Sequence, residues 1–185
     1  MGRYFWLLFA LLAGRSAIAQ AADSSMAITF TGAINLPLAM KPMHALAMEA
    51  WKVSFGREPG AAIVLNDADN GVLEATAHFN YRSAKLNGRE ETMGRVSYRV
   101  RIRSENGTCS VGVTQFKHQG NKAALRGGID LGLVTVGGPP LGRTPGLSPW
   151  GAKNIMAEVR SRSRSTADRV IRAFVAAMQA TASDR

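Results

Sequence analysis

Hydrophobic and polar positions change period several times along this chain, and each change marks an element. Residues 26–36 (MAITFTGAINL) alternate loosely and predict a first strand. Pro37 and Pro42 bracket a break. Over 42–55, Met43, Leu46, Ala47, Ala50, Trp51 and Ser54 recur at helical spacing, with Pro42 at the first helical position. Gly56 and the Pro59-Gly60 pair stop that helix. Residues 61–67 (AAIVLND) predict a short strand, and Asp69-Asn70-Gly71 a tight turn. Over 72–82, Leu73, Ala75, Ala77, Phe79 and Tyr81 share one face; Glu74, Thr76, His78, Asn80 and Arg82 share the other.

The cleanest alternation spans 93–103. Val96, Tyr98, Val100 and Ile102 face one way; Arg95, Ser97, Arg99, Arg101 and Arg103 face the other. Asn106-Gly107 predicts a hairpin turn into a strand over 108–117. Strict alternation there puts Cys109, Val111 and Val113 on the core side, and Gly112, Thr114, Phe116 and then His118 on the open side. Residues 119–148 hold eight glycines and three prolines, which predicts a long loop with a short element around Ile129 to Val136. Ser148-Pro149 reads as a cap and first turn of a last helix over 149–180. Its stripe is Ile155, Val159, Ala167, Val170, Phe174 and Met178, and the weakly apolar SRSRST in its middle marks a place for a kink or fray.

The resulting order is β-α-β-β-β-β-α. Hairpin-length turns make the four middle strands antiparallel, and one apolar face calls for both helices on that side. The expected fold is a two-layer α+β domain over residues 20–185. The element order, the hairpin VSYRVRIRSENGTCSVGVTQFKH and the QGN after it resemble an uncharacterised family of exported bacterial proteins with a TATA-binding-protein-like fold. The resemblance covers roughly residues 26–180. It implies a curved antiparallel sheet backed by helices, and it implies no catalytic residues. The TATA-binding protein reads DNA with its sheet, but transferring that reading would rest on fold analogy alone.

The N-terminus changes the expected compartment. Arg3, the apolar run Phe5 to Ala13 and the small residues of Ala17-Ile18-Ala19 form a secretory signal peptide over residues 1–19. An uncleaved anchor fits less well, because nine apolar residues fall short of the about 20 that span a bilayer. The h-region ends LLAG-Arg15, so no cysteine is placed for lipid attachment. No later segment is long and apolar enough to span. The expected location is therefore the periplasm or the exterior. Losing Arg3 and Arg15 lowers the formal charge from +10 to +8. Outside the cytoplasm, nucleic acid is not the partner that such a charge calls for. The single cysteine, Cys109, excludes an internal disulfide or a thiolate metal cluster and reads as a small buried hydrophobe.

Motifs with defined chemistry are missing. Residues 120–138 lack both phosphate-loop patterns. Gly146-Leu147-Ser148-Pro149-Trp150-Gly151 is one residue too long for a nucleophile elbow, and no nucleophile and base for a hydrolase emerge. Asp67-Ala68-Asp69-Asn70-Gly71 has its glycine one place too early for a calcium loop, and Asn106-Gly107-Thr108 reads as a turn before a glycosylation site. His78 and His118, both expected on the polar face, would stand about 10 Å apart across the sheet, too far for a shared zinc. Neither a metal nor a cofactor is expected.

One constellation remains. Arg95, Arg99, Arg101 and Arg103 project from one strand face, with Arg82 and His78 beside them and His118 expected on the other flank. A charge row is usually a solvated surface. Guanidinium groups also bind carboxylate or phosphate bidentately. The expected function is thus a non-catalytic binding module whose basic sheet face meets an anionic envelope component or an acidic protein. The alternative is a structural or assembly component of the envelope, acting through the Gly-rich loop and the last helix.

Overall fold

The structure, a computed structural model, describes residues 26–84, 90–123, 128–137 and 146–183. The expected leader, residues 1–19, and part of the Gly-rich stretch lie outside the described residues.

The strands are β1 (Phe30–Asn35), β2 (Ala62–Asp67), β3 (Val72–Tyr81), β4 (Gly94–Glu105), β5 (Thr108–Gly120) and the two-residue β6 (Gly132–Leu133). The helices are α1 (Met40–Val53) and α2 (Pro149–Ser183), with a 3-10 turn at Phe55–Arg57 after α1. The sheet is antiparallel with order β1-β5-β4-β3-β2, and β6 pairs with the far end of β5. Both helices pack on one face, so the architecture is the two-layer α+β fold that the alternation predicts. β6 falls inside the short element expected near Ile129 to Val136.

The core follows the periods. Leu73, Ala75, Ala77 and Tyr81 of β3, and Val96, Tyr98, Val100 and Ile102 of β4, are buried against the helices. From α1 come Met43, Leu46, Ala47, Ala50 and Trp51; from α2 come Ile155, Val159, Ala167, Val170, Phe174 and Met178. Aromatic rings join the layers: Trp51 stacks on Phe55 with centroids 5.4 Å apart, and Phe55 meets Phe174 at 5.9 Å. Helix α2 runs unbroken through SRSRST. Ser163 is fully buried there, and it continues the stripe between Val159 and Ala167 where a small side chain lets the helix lie close. Arg169 of α2 makes a bidentate pair with Glu58, at 3.0 and 2.9 Å, and so ties the helix to the segment after α1.

Helix α1 starts at Met40, two residues before the expected position, leaving Pro42 inside the first turn where no intrahelical N–H bond is lost. Its N-cap, Ala39, has no side-chain acceptor to offer. The Met40 N–H instead donates to Asn106 Oδ1 at 2.9 Å, from the β4–β5 turn. The same turn exchanges backbone hydrogen bonds with Leu36 and Leu38.

Strict alternation fails in β5. Ser97 pairs with Lys117 and Arg99 with Thr114, so two residues of β5 oppose Tyr98. This β-bulge centres on Gln115, whose φ of 55° lies in the left-handed region. The extra residue reverses the parity of everything after it. Phe116 and His118, expected on the open face, are fully buried beneath the helices, and Lys117 turns outward. Phe116 packs between Phe30, at 5.8 Å edge to face, and Tyr98, at 5.3 Å.

A second register shift lies in β2 between Ile63 and Leu65, at the free edge of the sheet, where Ile63, Val64 and Leu65 are exposed. The Asp67–Gly71 segment is the hairpin turn expected of it: both Asp67 carboxylate oxygens accept from Asn70, and these bonds hold the Asp67 carboxyl below its ordinary pKa. Burial pushes the Cys109 thiol up to about 11, so it stays protonated and behaves as a core residue.

The bulge makes a stability prediction. Phe116→Ala should lower the unfolding free energy by about 3–5 kcal/mol in urea titrations, the cost of emptying a core site. A cost near zero would place Phe116 on the solvent face.

Candidate functional site: the basic open face and the pocket at its end

Strand β4 lies mid-sheet, and its outward residues define the open face. Arg95, Arg99, Arg101 and Arg103 all project there and are exposed. At about 3.3 Å per residue, the row is roughly 26 Å long. Its flanks are low. Arg99 sits between Thr76 and Thr114, Arg101 between Glu74 and Gly112, and Arg103 between Val72 and Ser110. Apart from Glu74, these neighbours are small, and the guanidiniums remain in solvent.

Acids neutralise part of the row. Arg101 Nε lies 3.5 Å from Glu74, and Arg103 Nε lies 2.9 Å from Glu105. Both pairs are largely exposed, and such contacts are weak. Arg99 has no acid partner among the described residues, and Lys117, brought out by the bulge, adds a further cation. Arg95 Nε donates to Gln119 Oε1 at 3.1 Å, which leaves its terminal nitrogens available.

His78 faces Ser97 in the expected register, but it is not a free member of the row. The Pro59–Gly60 turn folds over it: the His78 N–H donates to Pro59 O at 2.9 Å, and the ring lies under Gly60. Gly60 has φ 61°, and a methyl group there would run into the imidazole.

His118 is on the opposite face altogether. Its Nδ1 accepts from the Leu131 N–H at 3.3 Å, so the ring proton sits on Nε2 and is donated to Thr92 O at 2.9 Å. The Tyr81 ring meets it edge-on at 5.3 Å. Burial lowers the His118 pKa below its ordinary value, opposed by the Thr92 carbonyl and the Asp130 charge. The two histidines therefore lie on different faces, and strict alternation could not place them so. Among the described residues no three His, Cys, Asp or Glu side chains come together as a metal site.

The remaining expected residue, Arg82, lies just past β3 at the end of the sheet, where it meets a cavity of about 790 Å³. Arg82, Arg95, Lys122, Asp130 and Arg162 line that cavity, with Asn80, Gln119 and Asn121 as polar neighbours. Hydrogen bonds build its walls. Ser83 Oγ and the Ala84 N–H both donate to Glu158 at 2.8 Å, which fastens the end of β3 to α2 one turn before Arg162. The Asn121 N–H donates to Met93 O, and the Gly120 N–H to Asp130 Oδ1 at 2.8 Å. Lys122 Nζ donates to Asp130 Oδ2 at 2.9 Å, and with the Gly120 bond this holds the Asp130 carboxyl below its ordinary pKa. Lys122 and Arg162 escaped sequence reasoning because they arrive from a loop and a helix far apart in the chain. The bulge did leave a trace, since the core residues of β5 run 109, 111, 113 and then 116.

No family model and no curated protein sequence matches the chain. Among solved structures, it is similar to a DUF4468 family protein from Bacteroides ovatus, at 13% identity over 80% of this chain and 86% of that one, with a TM-score of 0.47. It is also similar to a TBP-like protein from Parabacteroides distasonis, at 10% identity over 78% of this chain and 94% of that one, with a TM-score of 0.43. At such identities the likeness concerns the fold alone. Among the described residues no helix is long and apolar enough to cross a membrane.

The buried histidine yields a pH prediction. The folded pKa of His118 lies below 6.5, so between those two values the unfolded chain binds the extra proton. Its contribution to stability is present above pH 6.5 and is lost as pH falls toward the folded value. Urea midpoints should therefore fall between about pH 7.5 and pH 5, and His118→Gln should flatten that slope. A slope identical in the variant would mean that other groups carry it.

Proposed function

We propose that this chain is an exported, non-catalytic binding module whose open sheet face meets an anionic partner, most simply a phosphate-bearing component of the cell envelope. One observation carries the reading: four arginines of β4 and Lys117 of β5 stand on a solvent-facing sheet surface where, among the described residues, Glu74 and Glu105 are the acids paired with the row. A row held chiefly for solubility would be served as well by lysine. Arginine adds a planar fork that engages two oxygens of one phosphate or carboxylate. An acidic protein surface would meet the same geometry. The alternative, assembly through the Gly-rich loop and the last helix, finds less support on the helix side, because the apolar stripe of α2 is already spent on the core. Export rests on the leader pattern of residues 1–19.

Vesicles of phosphatidylglycerol and phosphatidylethanolamine provide the test. The mature protein should sediment with them at low ionic strength and release as ionic strength rises toward physiological, where charges are screened within about 8 Å. Arg99→Glu with Arg101→Glu should abolish most of that sedimentation without unfolding the protein, since both side chains are exposed. A folded double variant that still sediments fully would sink the sheet-face reading.

A further inference from the structure

We infer that the cavity at the end of the sheet is a binding site for a phosphate group, a second basic site that shares only Arg95 with the surface row and reaches beyond the function proposed for that row. Arg82, Arg95, Lys122 and Arg162 line the cavity, and Asp130 is the single acid among its lining residues. Asp130 is already committed to Lys122 and the Gly120 N–H. Three guanidiniums are left without an acid partner among the described residues.

Their origins matter as much as their number. Arg82 follows the end of β3, Arg95 opens β4, and Arg162 belongs to α2, which lies on the other layer. Each approaches the same space from a different element. A solvated charge row has no need of such convergence, and mutual repulsion opposes it. The hydrogen bonds of Glu158 to Ser83 and Ala84 hold β3 and α2 together beside that space, so the backbone positions from which Arg82 and Arg162 reach it are fixed relative to each other.

Ligand shape follows from the donors. A carboxylate offers two coplanar oxygens, which one guanidinium fork satisfies. A terminal phosphate offers three strong acceptor oxygens in three directions and carries up to two charges, which suits three forks arriving from different sides. The amide groups of Asn80, Gln119 and Asn121 add further polar contacts at the wall. A volume of about 790 Å³ also leaves room beyond the phosphate for the group that bears it. The ligand class is therefore a phosphate monoester or pyrophosphate, supplied as a soluble molecule or as a lipid headgroup.

Calorimetric titration with inorganic pyrophosphate tests the site on the mature chain. One equivalent should bind at about physiological ionic strength, and Arg82→Ala with Arg162→Ala should weaken it by roughly tenfold or more. Both side chains are exposed, so the variant should retain its wild-type urea midpoint. Arg99→Glu with Arg101→Glu should leave pyrophosphate affinity within about twofold, because those groups lie a Debye length or more from Arg95 along the strand or are paired. That contrast separates failure of the pocket from failure of the sheet-face reading. Phosphatidic acid in phosphatidylcholine vesicles decides the source: sedimentation that the Arg82/Arg162 variant abolishes assigns a headgroup, and pyrophosphate binding without sedimentation assigns a soluble ester. No heat up to about 5 mM pyrophosphate, or equal affinity in the Arg82/Arg162 variant, overturns the inference.

Discussion

Strand β5 serves two opposed demands, and it meets them through one residue in a left-handed conformation. Its first half must present Cys109, Val111 and Val113 to the helices. Its second half must present Phe116 and His118 to the same side, an odd number of residues further on. A regular strand cannot do both, because side chains alternate without exception. The bulge at Gln115 absorbs the mismatch. From it follow the aromatic packing of Phe30, Tyr98 and Phe116, the outward turn of Lys117, and the inward turn of His118. His118 in turn holds Leu131 and Thr92, and so fixes the two loops that frame the cavity at the end of the sheet. Core and candidate site thus share one backbone irregularity.

The two basic regions differ in physical character despite sharing Arg95. On the open face the guanidiniums are spaced along one strand, facing water, with two of them loosely balanced by exposed acids. Such charges act at a distance and are sensitive to salt. In the cavity, positive groups from the end of β3, from β4, from the loop after β5 and from α2 line one volume, beside an acid already bonded to Lys122 and the Gly120 N–H. There, the proposed ligand would be selected by geometry as well as by charge. Under the two proposals above, the protein would gather anions over a broad surface and retain a phosphate at one end of it.

Most of the fold was legible because most of the chain keeps its period. The strands β3 and β4 and the stripe of α2 can be read directly from spacing, and the four arginines of the row inherit their common face from β4, where alternation is uninterrupted. Ser163 shows how far spacing alone reaches: it continues the α2 stripe although it is polar, because contact there asks for a small volume. His118 was misplaced for a specific reason. Gln115 is not a glycine, so nothing about its type announces a positive φ, and only the step from Val113 to Phe116 betrays the bulge. The cavity was out of reach for a different reason. Arg82, Lys122 and Arg162 belong to separate elements, and their meeting depends on how α2 and the loop after β5 close over the sheet end, which no local pattern encodes.

The borrowed cap of α1 carries a consequence for how the molecule opens. A helix that supplied its own capping side chain could fray or form by itself. Here the first amide of α1 is held by Asn106, and the chain leading into the helix is pinned to the same turn through Leu36 and Leu38. Loosening the β4–β5 hairpin therefore uncaps α1, and melting the start of α1 strips the turn of its partners. Two elements joined by a contact between residues 66 positions apart become one cooperative unit, and the exchange of the Met40 amide with solvent reports the opening of a hairpin to which it does not belong.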